Sequence, residues 1–200
     1  MIPRQVIELV VLDLLQINFK PDLHNLVFFN IIYGEGGLRM KILALDQASM
    51  ITGWSVFDDE KLVAYGKLEM PKGSSVGERL VIIRNSVKAL IDEYQITYVG
   101  FEDIQMQASV GNNVQTFKVL ANVFGVILEL CEELHMPYSV VSSMTWKSTF
   151  AIKGRQRAEQ KRNAQLYVEN TYHVQATQDE CDAICIGAHI AKKNAGFNWT

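Results

Sequence analysis

The chain has 200 residues, 48% of them hydrophobic, 10% aromatic and 20% charged; that balance can fill a core and excludes a wholly disordered, collagenous or coiled-coil protein. Nineteen Lys and Arg stand against 22 Asp and Glu, for a formal net charge of -3, so affinity for a polyanion would have to rest on a local basic segment. Three cysteines cannot build a disulfide framework, which points to a reducing compartment.

Residues 1–39 mix helix-like and strand-like apolar patches and end in Tyr33-Gly34-Glu35-Gly36-Gly37-Leu38-Arg39. The apolar run from Val6 to Ile17 is broken by Glu8 and Asp13 and falls short of the roughly 20 residues a transmembrane helix needs. It also lacks the basic start and small-residue cleavage site of a signal peptide. No stretch is expected to cross a membrane, and the protein is expected to stay in the cytoplasm of the cell that makes it. Glu35-Gly36-Gly37 is codable by a purine-rich, ribosome-binding-like stretch just upstream of Met40. Residues 1–39 are therefore expected to be a translated leader, or else an N-terminal extension, and residues 40–200 a single domain.

From Lys41 to Asp46 runs a short apolar strand ending in a carboxylate. Thr52–Phe57 and Leu62–Leu68 read as a hairpin turning at Asp58-Asp59-Glu60. Ser75-x-x-Glu78 fits a capping box, followed by a helix with Val76, Leu80, Ile83, Val87, Leu90, Ile91 and Tyr94 on one face. Tyr98–Glu102 is a second strand ending in an acid, and a polar loop to Gly111 leads to a long helix over about 112–134. That helix carries one apolar stripe through Phe117, Leu120, Ala121, Phe124, Ile127, Leu128 and Cys131, and another through Val119, Val123, Val126 and Leu130. The sheet covers one stripe; a second copy of the chain is the expected cover for the Val119–Leu130 side, with another helix of the same chain as the alternative. Pro137–Val141 is a fifth strand, and helices follow near 144–150, 157–170 and 179–192. This order predicts an α/β fold, a mixed five-stranded sheet with helices on both faces.

Asp46 and Glu102 end apolar strands, where a carboxylate is costly to bury without positive compensation. Either acid alone also fits the first residue of a loop. In Thr177-Gln178-Asp179-Glu180 the capping box occupies Glu180, and Asp179 suits the helix dipole. Asp182 shares a helix side with Asp179, Ala183, Ile186 and Ile190, the side that must meet the sheet. Asp46, Glu102, Asp179 and Asp182 then converge into an oxygen-only set suited to Mg²⁺ or Mn²⁺. Cys181, Cys185 and His189 also share a helix side, but no CxxC pair accompanies them, and they read as structural. His24, His135 and His173 show no partner spacing. Lys147, Lys153, Arg155, Arg157, Lys161 and Arg162 form a basic run opposed only by Glu159, with Gly154 free to let a ligand approach. Such a run is either a solvated face or a phosphate-backbone contact.

Taken in order, Ile42-Leu43-Ala44-Leu45-Asp46, Thr52-Gly53-Trp54, Phe101-Glu102, the long helix, Lys147, the Lys161 neighbourhood and Asp179-x-x-Asp182-Ala183 resemble the RuvC family of Holliday junction resolvases, in the ribonuclease H-like superfamily. The likeness covers about residues 40–193 and is greatest for resolvases of phages of Gram-positive bacteria. It implies an endodeoxyribonuclease that resolves four-way and other branched DNA in recombination, repair or phage DNA processing, leaving 5′-phosphate and 3′-hydroxyl ends. It further implies two Mg²⁺ ions on the four acids, with Mn²⁺ able to substitute, and Lys147 and Lys161 at the scissile phosphate. A homodimer would present two sites to opposite strands. Two positions depart from the family pattern. Gln47-Ala48 replaces the Pro-Gly that follows the first Asp, and Gln105 replaces a base-stacking aromatic, so cleavage of several branched structures with little sequence preference is expected. Two other readings are a catalytically silent branched-DNA binding module, which could have lost the acids, and an actin-like sugar kinase or ATPase, whose further phosphate loops this chain lacks.

Overall fold

The computed structural model describes residues 40–104 and 113–195. The readings of residues 1–39 and of Gln105 with its loop lie outside the described residues.

Strands β1 (Lys41–Asp46), β2 (Ile51–Asp58), β3 (Lys61–Glu69), β4 (Tyr98–Glu102) and β5 (Tyr138–Val141) form one sheet in the order β3-β2-β1-β4-β5. The β1–β2 and β2–β3 pairs are antiparallel, whereas β1–β4 and β4–β5 are parallel. Central β1 needs apolar residues on both faces, which explains its unbroken run Ile42 to Leu45, all fully buried. In the hairpin, Asp59 takes φ 53°, the left-handed backbone that so tight a turn requires.

Alternation along the strands separates two cores. Leu43, Leu45, Val56, Val99 and Phe101 pack beneath α1 (Val76–Tyr94) and α2 (Asn113–Glu133). Ile42, Ala44 and Phe57 pack on the opposite face with α3 (Ser143–Thr149), α4 (Arg157–Tyr172) and α5 (Gln178–Ala195). The expected mixed five-stranded sheet with two covered faces is the architecture found. The Ser75–Glu78 capping box is also present, with both of its hydrogen bonds.

Helix α5 lies unusually close to the sheet because small residues meet on both sides. A Cβ on Gly53 would overlap the Asp179 carbonyl oxygen, and one on Gly187 would stand 2.6 Å from the Phe57 ring. Ser55 is buried and its hydroxyl donates to the Ala183 carbonyl at 2.8 Å. Cys181 and Cys185 are buried in the same layer. Burial pushes the Cys181 thiol up to about 12 and that of Cys185 in the same direction, so both remain protonated core groups. His189 shares a 2.8 Å hydrogen bond with the Thr149 hydroxyl.

The two stripes read on α2 are one broad arc. Val123 and Leu130, assigned to the side away from the sheet, are fully buried together with Ile127. Helix α1 flanks this side, and Arg84 pairs with Glu129 and Glu133. The cover of the Val119–Leu130 side thus includes a helix of the same chain. By length and composition, Val114–Glu133 would also qualify as a membrane span, contrary to the expectation that no stretch does. Its inner side, with Val123, Ile127 and Leu130 fully buried, packs in the core beneath the sheet, and 22% of the stretch is buried in all.

Candidate functional site

Strand parity determines where the first two acids go. Asp46 shares a face with Ile42 and Ala44, and Glu102 follows Phe101 onto that same side. The β1–β4 register runs from Ile42↔Tyr98 to Leu45↔Phe101, so Asp46 and Glu102 stand just past its last pair, on neighbouring strand ends. The first turns of α5 bring Asp179 and Asp182 over this edge, pressed down by the Gly53 contact. Glu180 is drawn away. Its carboxylate accepts from the Thr177 amide at 2.6 Å and the Thr177 hydroxyl at 2.7 Å, the capping role expected of it.

The four acids feel one another. Burial, then Asp182, Glu102 and Asp179, hold the Asp46 carboxyl well above the usual carboxylate range, against an opposing pull from Lys161. Burial and then Glu102 push Asp182 up to about 6, with Lys147 and Lys161 opposing. Glu102 is raised by burial, while the Trp146 indole, Lys147 and Arg157 act to lower it. Such a cluster carries its full charge comfortably only when more positive charge is supplied. Among the described residues, no three His, Cys, Asp or Glu side chains already form a metal cage; carboxylates with nothing between them repel one another. Their chemistry nonetheless fits a hard divalent cation, being oxygen-only and partly desolvated.

Both lysines singled out in the sequence reach this cluster. Lys147 leaves α3 with its ammonium 5.1 Å from the Trp146 ring centroid, and it acts on Glu102 and Asp182. Lys161, on α4, donates to the Gln178 side chain at 2.8 Å and acts on Asp46 and Asp182. Arg157 acts on Glu102 from the start of α4. Lys153, Arg155 and Arg162 are exposed around them, Arg162 beside a shallow groove formed with Gln165, Glu169 and Gln175.

Gly154 lies against α4: a Cβ there would stand 2.9 Å from the Gln160 main-chain nitrogen, so the close approach it permits includes one to that helix. The loop is laced to that helix by Asn163 donating to the Lys153 carbonyl at 2.6 Å and by the Arg155 amide donating to Glu159 at 2.9 Å.

Two supporting residues escaped the sequence reading. The Trp146 indole N–H donates to Glu102 Oε1 at 3.1 Å from a ring that is 1% exposed. Gln47 is buried and its side-chain amide bonds to the main chain of Glu102. Nothing in the spacing singles out Trp146, and Gln47 registers only as a departure from the Pro-Gly pattern.

A family model described as crossover junction endodeoxyribonuclease RuvC matches residues 42–189. The chain is similar to a protein of that name from Halorhodospira halophila, 30% identical over 118 residues that cover 58% of this chain and 68% of the relative. A namesake from Dictyoglomus thermophilum is 23% identical over 161 residues, 78% of this chain and 99% of the other. Among solved structures, RuvC of T. thermophilus in complex with Holliday junction substrate matches with a TM-score of 0.64 at 16% identity, covering 78% of this chain and 96% of that one. The yeast mitochondrial Holliday junction resolvase Ydc2 matches with a TM-score of 0.52 at 12% identity, covering 81% and 82%. At such identities the structural likeness speaks for a shared fold.

Proposed function

The chain belongs to the RuvC family of crossover junction endodeoxyribonucleases, and from that premise we propose how its own residues cut DNA. It is a structure-specific junction endonuclease, acting on four-way and related branched DNA. Asp46, Glu102, Asp179 and Asp182 hold two divalent ions, Mg²⁺ by preference with Mn²⁺ able to substitute. When bound, these ions supply the Lewis acidity that makes water a nucleophile and stabilises the departing 3′ oxygen. The four carboxylates fix the place of reaction, and Trp146 holds the Glu102 oxygen to which it donates. Lys147 and Lys161 neutralise the scissile phosphate and help orient it for in-line attack. Lys153, Arg155, Arg157 and Arg162 follow the phosphate backbone, which gives salt-dependent affinity without sequence readout. The products carry 5′-phosphate and 3′-hydroxyl ends, and the enzyme works where the DNA is, in the cytoplasm of a bacterial or phage-infected cell.

The observation that carries this reading is geometric: Asp46 and Glu102 end neighbouring parallel strands just past their last pair, and the start of α5, with Asp179 and Asp182, is seated on that edge against Gly53. The test is single-turnover cleavage of a synthetic four-way junction by the full chain in Mg²⁺ and in EDTA. EDTA is expected to abolish cutting, and persistence of cleavage would overturn the metal assignment. In the same assay Lys147→Ala is expected to slow cleavage by ~10²-fold with junction affinity changed less than threefold, about what one lost phosphate contact causes. A loss confined to affinity would reassign Lys147 to backbone positioning.

With Val123 and Leu130 buried, the dimer face moves from the expected Val119–Leu130 side to the flank of α2 bearing Phe117, Ala121 and Leu128, none of which is fully buried, and a second copy docks there. The dimer gives two sites for opposite strands of one junction. Sedimentation of the full chain at micromolar concentration is expected to report a dimer, and a monomer would remove this arrangement.

A further inference from the structure

After Asp46 the main chain turns away from β4. Ala48 and Thr52 close the turn, the Thr52 hydroxyl donating to the Ala48 carbonyl at 2.8 Å and accepting from its amide at 3.3 Å. The β1–β4 pairing has by then ended, at Leu45↔Phe101. The main-chain groups of Glu102 that face β1 would therefore have no partner from that strand. Gln47 supplies one. Its side-chain Oε1 accepts from the Glu102 amide at 3.0 Å, and its Nε2 donates to the Glu102 carbonyl oxygen. The side chain is 6% exposed, so water does not readily replace it. A primary amide has the same donor and acceptor as a peptide group, and here it forms one more rung of the ladder beyond the point where the backbone leaves.

We propose that Gln47 is a positioning residue for the cleavage reaction: its amide ties the end of β4 to the end of β1 and so fixes the separation of Asp46 and Glu102. Those carboxylates repel each other from strand ends that would otherwise fray. Holding both ends restores a defined gap for a cation at no cost in added charge, which a carboxylate at position 47 could not do.

This inference rests on the nuclease reading for its effect on cleavage, and its closing experiment separates the two. Gln47→Met keeps the length and loses both hydrogen bonds; Gln47→Asn keeps the amide but is one methylene short, and it serves if the Met variant does not fold. Three quantities are measured on the full chain: Mn²⁺ binding without DNA, by electron paramagnetic resonance of the free ion; single-turnover cleavage at saturating junction; and junction affinity in EDTA. Each variant is expected to bind Mn²⁺ and to cleave 10- to 100-fold less well, in the range of supporting groups behind metal ligands, roughly as outer-shell losses do elsewhere. Junction affinity in EDTA is expected to be unchanged, and hydrogen exchange at the Glu102 amide faster, which a general loss of stability would not confine to that position. Wild-type Mn²⁺ affinity and cleavage rate in both variants would overturn the proposal. If the wild-type chain binds Mn²⁺ but cuts no junction, the nuclease reading fails, while the binding comparison still decides the role of Gln47.

Discussion

Asp46→Asn is expected to lower junction cleavage by at least ~10³-fold, equivalent to about 4 kcal/mol of barrier, while junction affinity in EDTA stays the same or tightens slightly. Asp46 is held well above the usual carboxylate range, by burial first and then by Asp182, Glu102 and Asp179. Asn keeps its shape but removes one negative charge from the set proposed above to hold divalent cations. Loss of that charge also lessens repulsion of a polyanion, so binding has no reason to weaken. Single-turnover gel assays beside fluorescence anisotropy separate the two effects. Cutting within tenfold of wild type would take Asp46 out of the reaction centre.

The metal-free protein is expected to be less stable at pH 7.5 than at pH 5. Asp182 titrates at about 6 in the folded chain against an ordinary 3.8. Between these values the folded state binds more protons than the unfolded one, so stability falls as pH rises and stays low above the folded value. A change from 3.8 to about 6 corresponds to a loss of about 3 kcal/mol over the whole titration, of which about half falls between pH 5 and pH 7.5; Asp46 and Glu102, both raised, add in the same direction. His189 works the other way in this window, since burial and Lys193 hold it below its usual value. The informative quantity is therefore the difference between wild type and Asp182→Asn, measured by urea unfolding in EDTA at the two pH values. The variant is expected to lose less stability on going to pH 7.5, and Mg²⁺ to restore stability to the wild type alone. Parallel pH profiles for the two proteins would mean that Asp182 is not held in a strained, charged cluster.

The sheet and its acids were legible because both follow from short-range rules. Strand alternation puts Asp46 and Glu102 on one face, and a helix period places Asp179 beside Asp182, so residue spacing alone predicts convergence. Glu180 could be set aside because a cap motif names its partner in the sequence. What escaped depends on contacts between distant segments. The Trp146 indole reaches an acid 44 positions earlier, and Gln47 one 55 positions later; no local pattern encodes either. Val123 and Leu130 were misassigned because an apolar arc on α2 wider than one stripe can be divided in two on a helical wheel, and only the position of α1 decides which part meets the sheet. Gly154 shows a further gap: the residue type reveals that something comes close, but not whether that is a ligand or a neighbouring helix.

The glycine seat beneath α5 has one more consequence. With backbone rather than side chain meeting the sheet at Gly53, and an aromatic ring filling the space over Gly187, the reaction centre has little slack between its two walls. A site seated this way is expected to leave accommodation to the nucleic acid, so that junctions whose strands bend and unstack at small energetic expense are cut faster than stiffer ones, a difference that single-turnover assays on the two kinds of junction would report.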